Sequence, residues 1–292
     1  ALIWRALCFL AVVSGALPVA LAQRGQPPPP LLQTGKADPA EARAALEQMR
    51  RLGIAGDYFL QFQLRIMPRR GPERTIPGQL WGTRNETGLV NRVSLALPGT
   101  GNGADALRRR LLIQNGVRSA AWRWDEGAGV AMLNVSALFE PLVPEAELTA
   151  FDLQMPFLYW NDFAYQGIVR FRGRPAHVLV MRPPADFAAR YPQLSGVRVH
   201  LDTQFNALVQ TELLGADGRV SKTLSVVDLK KVGEQWIVKT IDVRDEATRN
   251  KTRFSVTGAA LGLDFSSRLF EPARLADDIP PPSATDILPI EP

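Results

Sequence analysis

The sequence predicts a mainly β, α+β fold: one strongly curved antiparallel sheet forming an incomplete β-barrel around an N-terminal helix and short helices. Three observations predict it. Stretches of alternating apolar and polar residues, separated by short turn signals, follow one another along most of the chain. One amphipathic helix precedes them. An aromatic cluster, Phe157, Tyr159, Trp160, Phe163 and Tyr165, interrupts them midway. Consecutive hairpins make an antiparallel sheet, and a wide, twisted sheet curls.

Residues 6–22 are an apolar run behind Arg5 that closes on Ala20 and Ala22, the pattern of a secretory signal peptide cleaved after Ala22. The lone cysteine, Cys8, falls inside it, so no disulfide or thiolate site is expected in the mature chain. The expected location is the periplasm, with an inner-membrane anchor through 6–22 as the alternative. A Pro-rich linker, 23–37, follows. Asp38, Pro39 and Glu41 then read as a helix start. Ala42, Ala45, Leu46, Met49 and Leu52 give helix 38–52 one apolar face, and Gly53 ends it.

Tyr58, Leu60, Phe62, Leu64 and Ile66 alternate with Phe59, Gln61, Gln63 and Arg65, the strongest strand signal in the chain. Hairpins are predicted for 79–84 with 89–97 and for 109–114 with 119–125, and a Gly-rich turn at 98–103. Residues 126–165 are less regular, with a short helix expected between 137 and 153. Strands resume at 168–172 and 176–182 around Gly173-Arg174. A loop is expected over 183–196, then strands near 197–202, 206–214, 219–231, 235–245 and 251–259. The stretch from Phe270 to Leu275 is expected to dock by its two apolar ends, and the Pro-rich tail 277–292 to stay disordered.

Apolar residues make up 46% of the chain, enough for a sizeable core. The net charge is +5 and Arg outnumbers Lys 28 to 6, but the arginines are scattered. That favours a solvated basic surface, with anionic lipid head groups as possible partners, over nucleic-acid binding. Two histidines exclude a multi-His zinc site. No catalytic set, metal site or cofactor motif stands out, so no enzyme activity and no cofactor are expected. Asp242 and Asp245 are the carboxylates a hydrolase reading would rest on. A transmembrane barrel also alternates, but the chain has no aromatic closing strand and only four tyrosines.

Three stretches carry a resemblance: 155–167, 173–184, and 251–254 continued to Phe270 and Leu275. They resemble the outer-membrane lipoprotein-sorting protein family, the LolA-like half-barrels, in its uncharacterised branch, over 38–276. The resemblance implies an incomplete barrel wrapped around helices with a hydrophobic cavity. It implies a carrier for a lipid or lipoprotein acyl chain, bound for the outer membrane, with membrane-bound donor and acceptor proteins. A non-catalytic periplasmic sensor or adaptor for a protein partner is the alternative. The candidate cavity residues are Leu60, Phe62, Leu64, Leu95, Trp122, Trp124, Phe157 and Trp160. The candidate rim cations are Arg170, Arg172 and Arg174, since guanidinium pairs bidentately with phosphate or carboxylate. The same alternating faces are equally those of a filled core.

Overall fold

The computed structural model describes residues 38–97 and 107–291. The leader 1–22, the linker 23–37 and the turn 98–103 lie outside the described residues. Helix α1 (Pro39–Arg51) starts as its sequence dictates. The Asp38 side chain accepts from the Ala40 N–H at 2.8 Å, Pro39 opens the first turn, and Arg50 and Arg51 close the last. Its buried face is Ala42, Ala45 and Leu46.

The strands are β1 (Asp57–Met67), β2 (Arg74–Arg84), β3 (Leu89–Leu97), β4 (Leu107–Gln114), β5 (Ala120–Asp125), β6 (Gly129–Met132), β7 (Phe163–Phe171), β8 (Arg174–Met181), β9 (Leu194–Asp202), β10 (Leu208–Gly215), β11 (Val220–Val232), β12 (Gln235–Asp245), β13 (Lys251–Leu263) and β14 (Leu288–Pro289). The sheet order is β6-β5-β4-β3-β2-β1-β13-β12-β11-β10-β9-β8-β7, with every pairing antiparallel. The chain lays β1 to β6 out to one edge and returns inward from the other through β7 to β13. β13 then closes against β1, from Asp57 opposite Leu263 to Met67 opposite Lys251.

Both edge strands, β6 and β7, are consecutive in sequence, so the chain must cross between them. Segment 133–162 makes that crossing. It includes α2 (Ala150–Gln154) flanked by 3-10 turns at Ala137–Phe139 and Pro156–Tyr159. Its apolar side chains join the inner faces of both halves of the sheet in one core.

The inner face of β1 is the one its alternation predicts: Tyr58, Leu60, Phe62, Leu64 and Ile66 are all buried in that core. The rings of Phe62 and Tyr58 occupy the space over Gly78 and Gly82 of β2, where a Cβ would sit 2.2 and 2.1 Å from ring carbons. Only glycine admits that approach.

Several elements differ from expectation. β6 lies in a stretch read as irregular; its burial pattern shows no alternation to read. Residues 183–196 hold α3 (Ala185–Arg190), too short for a helical period to show. The hairpin turn of β7 and β8 sits on Arg172-Gly173, both at positive φ, one residue earlier than expected. The tail expected to be loose is anchored: Leu288 and Pro289 pair with Ala259 and Gly258, and Ile290 is buried. Those contacts reach thirty residues back along the chain, beyond any local pattern.

Segment 264–291 runs over the outer face of β1 to β5 as a strap. Beneath it lie Phe59, Trp81 and Ala260, and further along Val90 and Leu112, against which the strap's own Leu275 packs. Arg92, only 2% exposed, fixes the strap by donating to four main-chain carbonyls, those of Leu269, Arg274, Leu275 and Asp277, at 2.6 to 3.2 Å. Arg110 adds bonds to the Leu275 and Ala276 carbonyls and to Asp278. Burial, with the neighbouring Arg110 charge, lowers the Arg92 guanidinium to about 10.

Candidate functional site

The concave side of the sheet is where the fold can hold something. Six of the eight expected cavity residues meet there: Leu60, Phe62, Leu64, Leu95, Phe157 and Trp160 are buried in one core. Trp122 and Trp124 do not join them. On β5 they share a face with Leu112 and Arg110, opposite Leu111 and Ile113, and they pack under the strap against Leu275. The Arg110 guanidinium lies 4.4 Å above the Trp124 ring. The inward positions of β5 are Ala121 and Arg123. The two large aromatics face outward, the reverse of what their size suggests, because the strap supplies a second apolar layer.

The six side chains do not line an open cavity. The crossing segment fills the concave side with Leu138, Leu142, Val143, Ala146, Leu148, Ala150, Phe151, Phe157, Leu158 and Trp160. Phe139 stacks on Phe151 at 4.4 Å and on Tyr191 at 3.8 Å, and Trp160 meets Phe187 of α3 edge-on at 5.3 Å. The space among Leu111, Leu133, Leu142 and Ala150 is 10 Å³, no more than a water. The expected cavity is therefore a filled core among the described residues. The filling comes from a segment whose short helix and 3-10 turns carry no long apolar period.

The filling is short and irregular, and polar bonds hold it to its surroundings at several points. Thr149 and Asp152 form a capping box at the start of α2. The Asp152 carboxylate, 2% exposed, also accepts from Lys222 Nζ of β11 at 2.8 Å. Arg50 of α1 donates to the Leu158 carbonyl at 2.6 Å, and its guanidinium lies over the Tyr159 ring. Burial lowers the Arg50 guanidinium, while Tyr159 and Glu47 pull the other way. Arg109 donates to the Leu142 carbonyl at 2.7 Å, Asn115 to the Gln154 carbonyl at 2.7 Å, and the Glu147 N–H to Thr252 at 2.7 Å. The Glu147 carboxyl is raised, by burial first and by Asp245 second. Apart from the local capping box, none of these bonds was legible in sequence, because each joins residues tens of positions apart.

The expected rim cations lie on the β7–β8 hairpin. Arg170 is exposed. Arg172 donates to the Val226 carbonyl at 3.1 Å. Arg174 pairs with the buried Asp202 at 2.8 Å and stacks over Phe205 at 5.3 Å. Arg172 and Arg174 are thus engaged in local contacts. At the opposite end of the sheet an open groove of 590 Å³ is lined by Arg69, Arg70, Arg74, Glu145, Thr248 and Asn250. Arg74 is paired there with Glu145 at 2.6 Å. No group of acidic, histidine or cysteine side chains able to hold a metal occurs among the described residues.

The architecture has solved counterparts. A DUF1329 family protein from Desulfovibrio piger ATCC 29098 superposes with a TM-score of 0.65 at 15% identity, covering 80% of this chain and 98% of its own. A domain from Vibrio parahaemolyticus, assigned to outer membrane lipoprotein sorting, gives 0.65 at 14% identity over 81% and 97%. A LolA superfamily protein from Nitrosomonas europaea gives 0.58 at 13% over 79% and 97%. The fold is LolA-like. At these identities the likeness is one of fold. A family model described as an uncharacterized protein matches residues 147–277, from the crossing segment to the strap. No curated protein matches the chain. No helix among the described residues is long and apolar enough to cross a membrane.

Proposed function

We propose that the protein is a periplasmic carrier for the acyl chain of a lipid or lipoprotein, on its way to the outer membrane, and that segment 133–162 occupies the binding site when no cargo is present. One observation carries this reading. The apolar concave wall is covered by an irregular segment that is not a strand of the sheet and is held over it by side-chain bonds between its two ends. The LolA-like fold supports the same reading.

Magnitudes limit how the segment moves. A sixteen-carbon chain gains about 12 kcal/mol on burial, at ~0.8 kcal/mol per methylene. Exposing all ten buried side chains of the segment would cost upward of ~15 kcal/mol. One chain therefore cannot expel the segment; it can enter only where the segment slides while keeping most of its own contacts. The Lys222–Asp152 pair is the tether that opposes such a slide from within the core.

Binding of a fluorescent fatty acid tests the proposal. Wild-type protein is expected to take it up slowly and saturably, and Lys222→Met at least about tenfold faster. That variant leaves Asp152 buried without its cation and is expected to lose about 3 kcal/mol by urea unfolding. Absence of saturable uptake by either folded protein would hand the function to the second reading, a non-catalytic adaptor for a protein partner. The packed interior favours that second reading. Native mass spectrometry separates the two: a co-purifying species of lipid mass supports the carrier, a stoichiometric protein the adaptor.

A further inference from the structure

The arginine-lined groove is built where the sheet closes. β1 and β13 pair to their ends, Met67 opposite Lys251, so loop 68–73 and turn 246–250 leave the sheet side by side. The Arg69 N–H donates to the Asn250 side chain at 3.0 Å and ties the two together. Pro68 and Pro72 bracket Arg69 and Arg70 and restrict the backbone that carries them. In the turn, the Asp245 carboxylate accepts from the Ala247 and Thr248 N–H groups and from the Thr248 hydroxyl. Asn250 and Thr248 are thus spent on shaping the groove, and the donors left for a ligand are guanidinium groups. Three arginines and one glutamate line it. Glu73 and Glu246, the acidic residues of the two loops, are already paired with Arg65 at 2.5 Å and with Arg249 at 2.9 Å. Arg69 and Arg70 are exposed and have no ion pair among the described residues. The third arginine, Arg74, is held by the crossing segment: it donates to the Glu145 carboxylate at 2.6 Å and to the Pro144 carbonyl at 3.1 Å. Glu145 sits at a φ of 66°, a left-handed conformation that favours glycine. A strained residue thus sets one carboxylate against one guanidinium and leaves two others open.

We infer that this groove binds the phosphate of a phosphate monoester, which displaces the Glu145 carboxylate from Arg74. Guanidinium meets phosphate oxygens through two parallel N–H bonds. A monoester carries close to two negative charges at neutral pH, which suits three guanidiniums better than a single carboxylate does. Glu145, 64% exposed in its side chain, can swing into solvent when the phosphate takes its place. The groove, at 590 Å³, has the size of a small-molecule site and exceeds what a bare ion fills, so the phosphate carries an organic group. A lipid head group and a soluble phosphate ester present this same chemistry. The inference stands apart from the acyl reading of the interior, because the groove opens at the turns and needs no apolar chain to fill it.

Titration calorimetry with glycerol 3-phosphate tests the groove alone, since that probe has no acyl chain to bury. Wild-type protein is expected to bind it saturably, more weakly as salt rises, and not to bind glycerol. Arg69→Glu with Arg70→Glu is expected to weaken binding about tenfold or more. Glu145→Gln removes the competing carboxylate and is expected to strengthen it about two- to fivefold, a gain that a purely structural role would not give. Arg118→Glu with Arg170→Glu makes the same change in net charge at exposed arginines outside the groove and is expected to leave affinity unchanged. Short-chain phosphatidic acid, below its micelle concentration, separates the two sources. Tighter binding than glycerol 3-phosphate, lost in the Arg69 and Arg70 variant, identifies a lipid head group; equal affinity identifies a soluble ester. Absence of saturable binding to both probes would overturn the inference. So would equal weakening by the two double variants, since the phosphate would then answer only to net charge. Failure of fatty-acid uptake alone would leave these affinities as they are and bear on the interior only.

Discussion

Strands β1 to β5 and strands β9 to β12 treat their outer faces in opposite ways. The first set buries Phe59, Trp81, Val90, Arg92 and Leu112 beneath the strap 264–291. The second presents polar pairs, among them Arg198 with Glu212 at 2.5 Å, and Asp242 with Arg253 and Lys251 at 2.7 and 3.0 Å. Asp242 illustrates the balance there. Burial alone would raise its carboxyl, but hydrogen bonds from Arg253 and Lys251 outweigh that and hold it below the ordinary value. An alternating strand needs one apolar face, whereas a strand between two layers needs two. The N-terminal half is therefore the interior of a three-layer arrangement of filling, sheet and strap. The C-terminal half has a solvated back, which the turn end of the β11–β12 hairpin interrupts with the exposed Leu229, Trp236 and Val238.

The sharpest way to break this contrast is to release the strap. Arg92→Ala removes the donor shared by four carbonyls and is expected to cost about 3–5 kcal/mol by urea unfolding. Amide exchange should then accelerate across 264–291 and leave the β9–β12 half protected. Uniform acceleration of both halves would show that the strap is no separate layer. Leu275→Ala, which empties the fully buried site between Val90, Leu112 and the two tryptophans, is expected to cost about 2–4 kcal/mol.

Acidification probes the other half. Burial holds the His200 imidazole of β9 below its ordinary value, against the upward pull of Glu212, and its Nδ1 has no hydrogen-bond partner among the described residues. His177 of β8 is likewise lowered by burial, against the pull of Glu41. Both fold neutral, so the unfolded chain binds more protons. Their contribution is complete above the ordinary histidine value and is lost as pH falls from there toward the depressed folded values. Melting temperature should drop over that window, and His200→Gln should flatten the drop. The smallest effect belongs to the end of the β11–β12 hairpin: Trp236→Ser is expected to change folding stability by less than about 0.5 kcal/mol, in contrast to any residue under the strap.

Much of this molecule follows from local patterns. The capped α1, the inward face of β1 and the hairpins of β2 to β5 are written in period, cap and turn residues that act within a few positions. So is the docking of the stretch from Phe270 to Leu275, signalled by its two apolar ends, of which Leu275 is fully buried. The site was legible only in part. Leu60, Phe62, Leu64 and Leu95 could be placed on the concave wall, because one buried face of each strand suffices for that. The outward turn of Trp122 and Trp124 could not be read: on β1 the face opposite the apolar one carries Gln61, Gln63 and Arg65 and so marks itself as outer, whereas on β5 the apolar face is covered from outside by a distant segment.

By itself the sequence determined the strands, the helix and the inward side of β1, because period and capping are short-range physics. Only the tertiary structure decided that the concave side is filled, that the tail is a strap and that the end of the β11–β12 hairpin stands free of the sheet. Those outcomes rest on contacts such as Arg92 with carbonyls 177 to 185 residues away, and no local pattern encodes such a meeting.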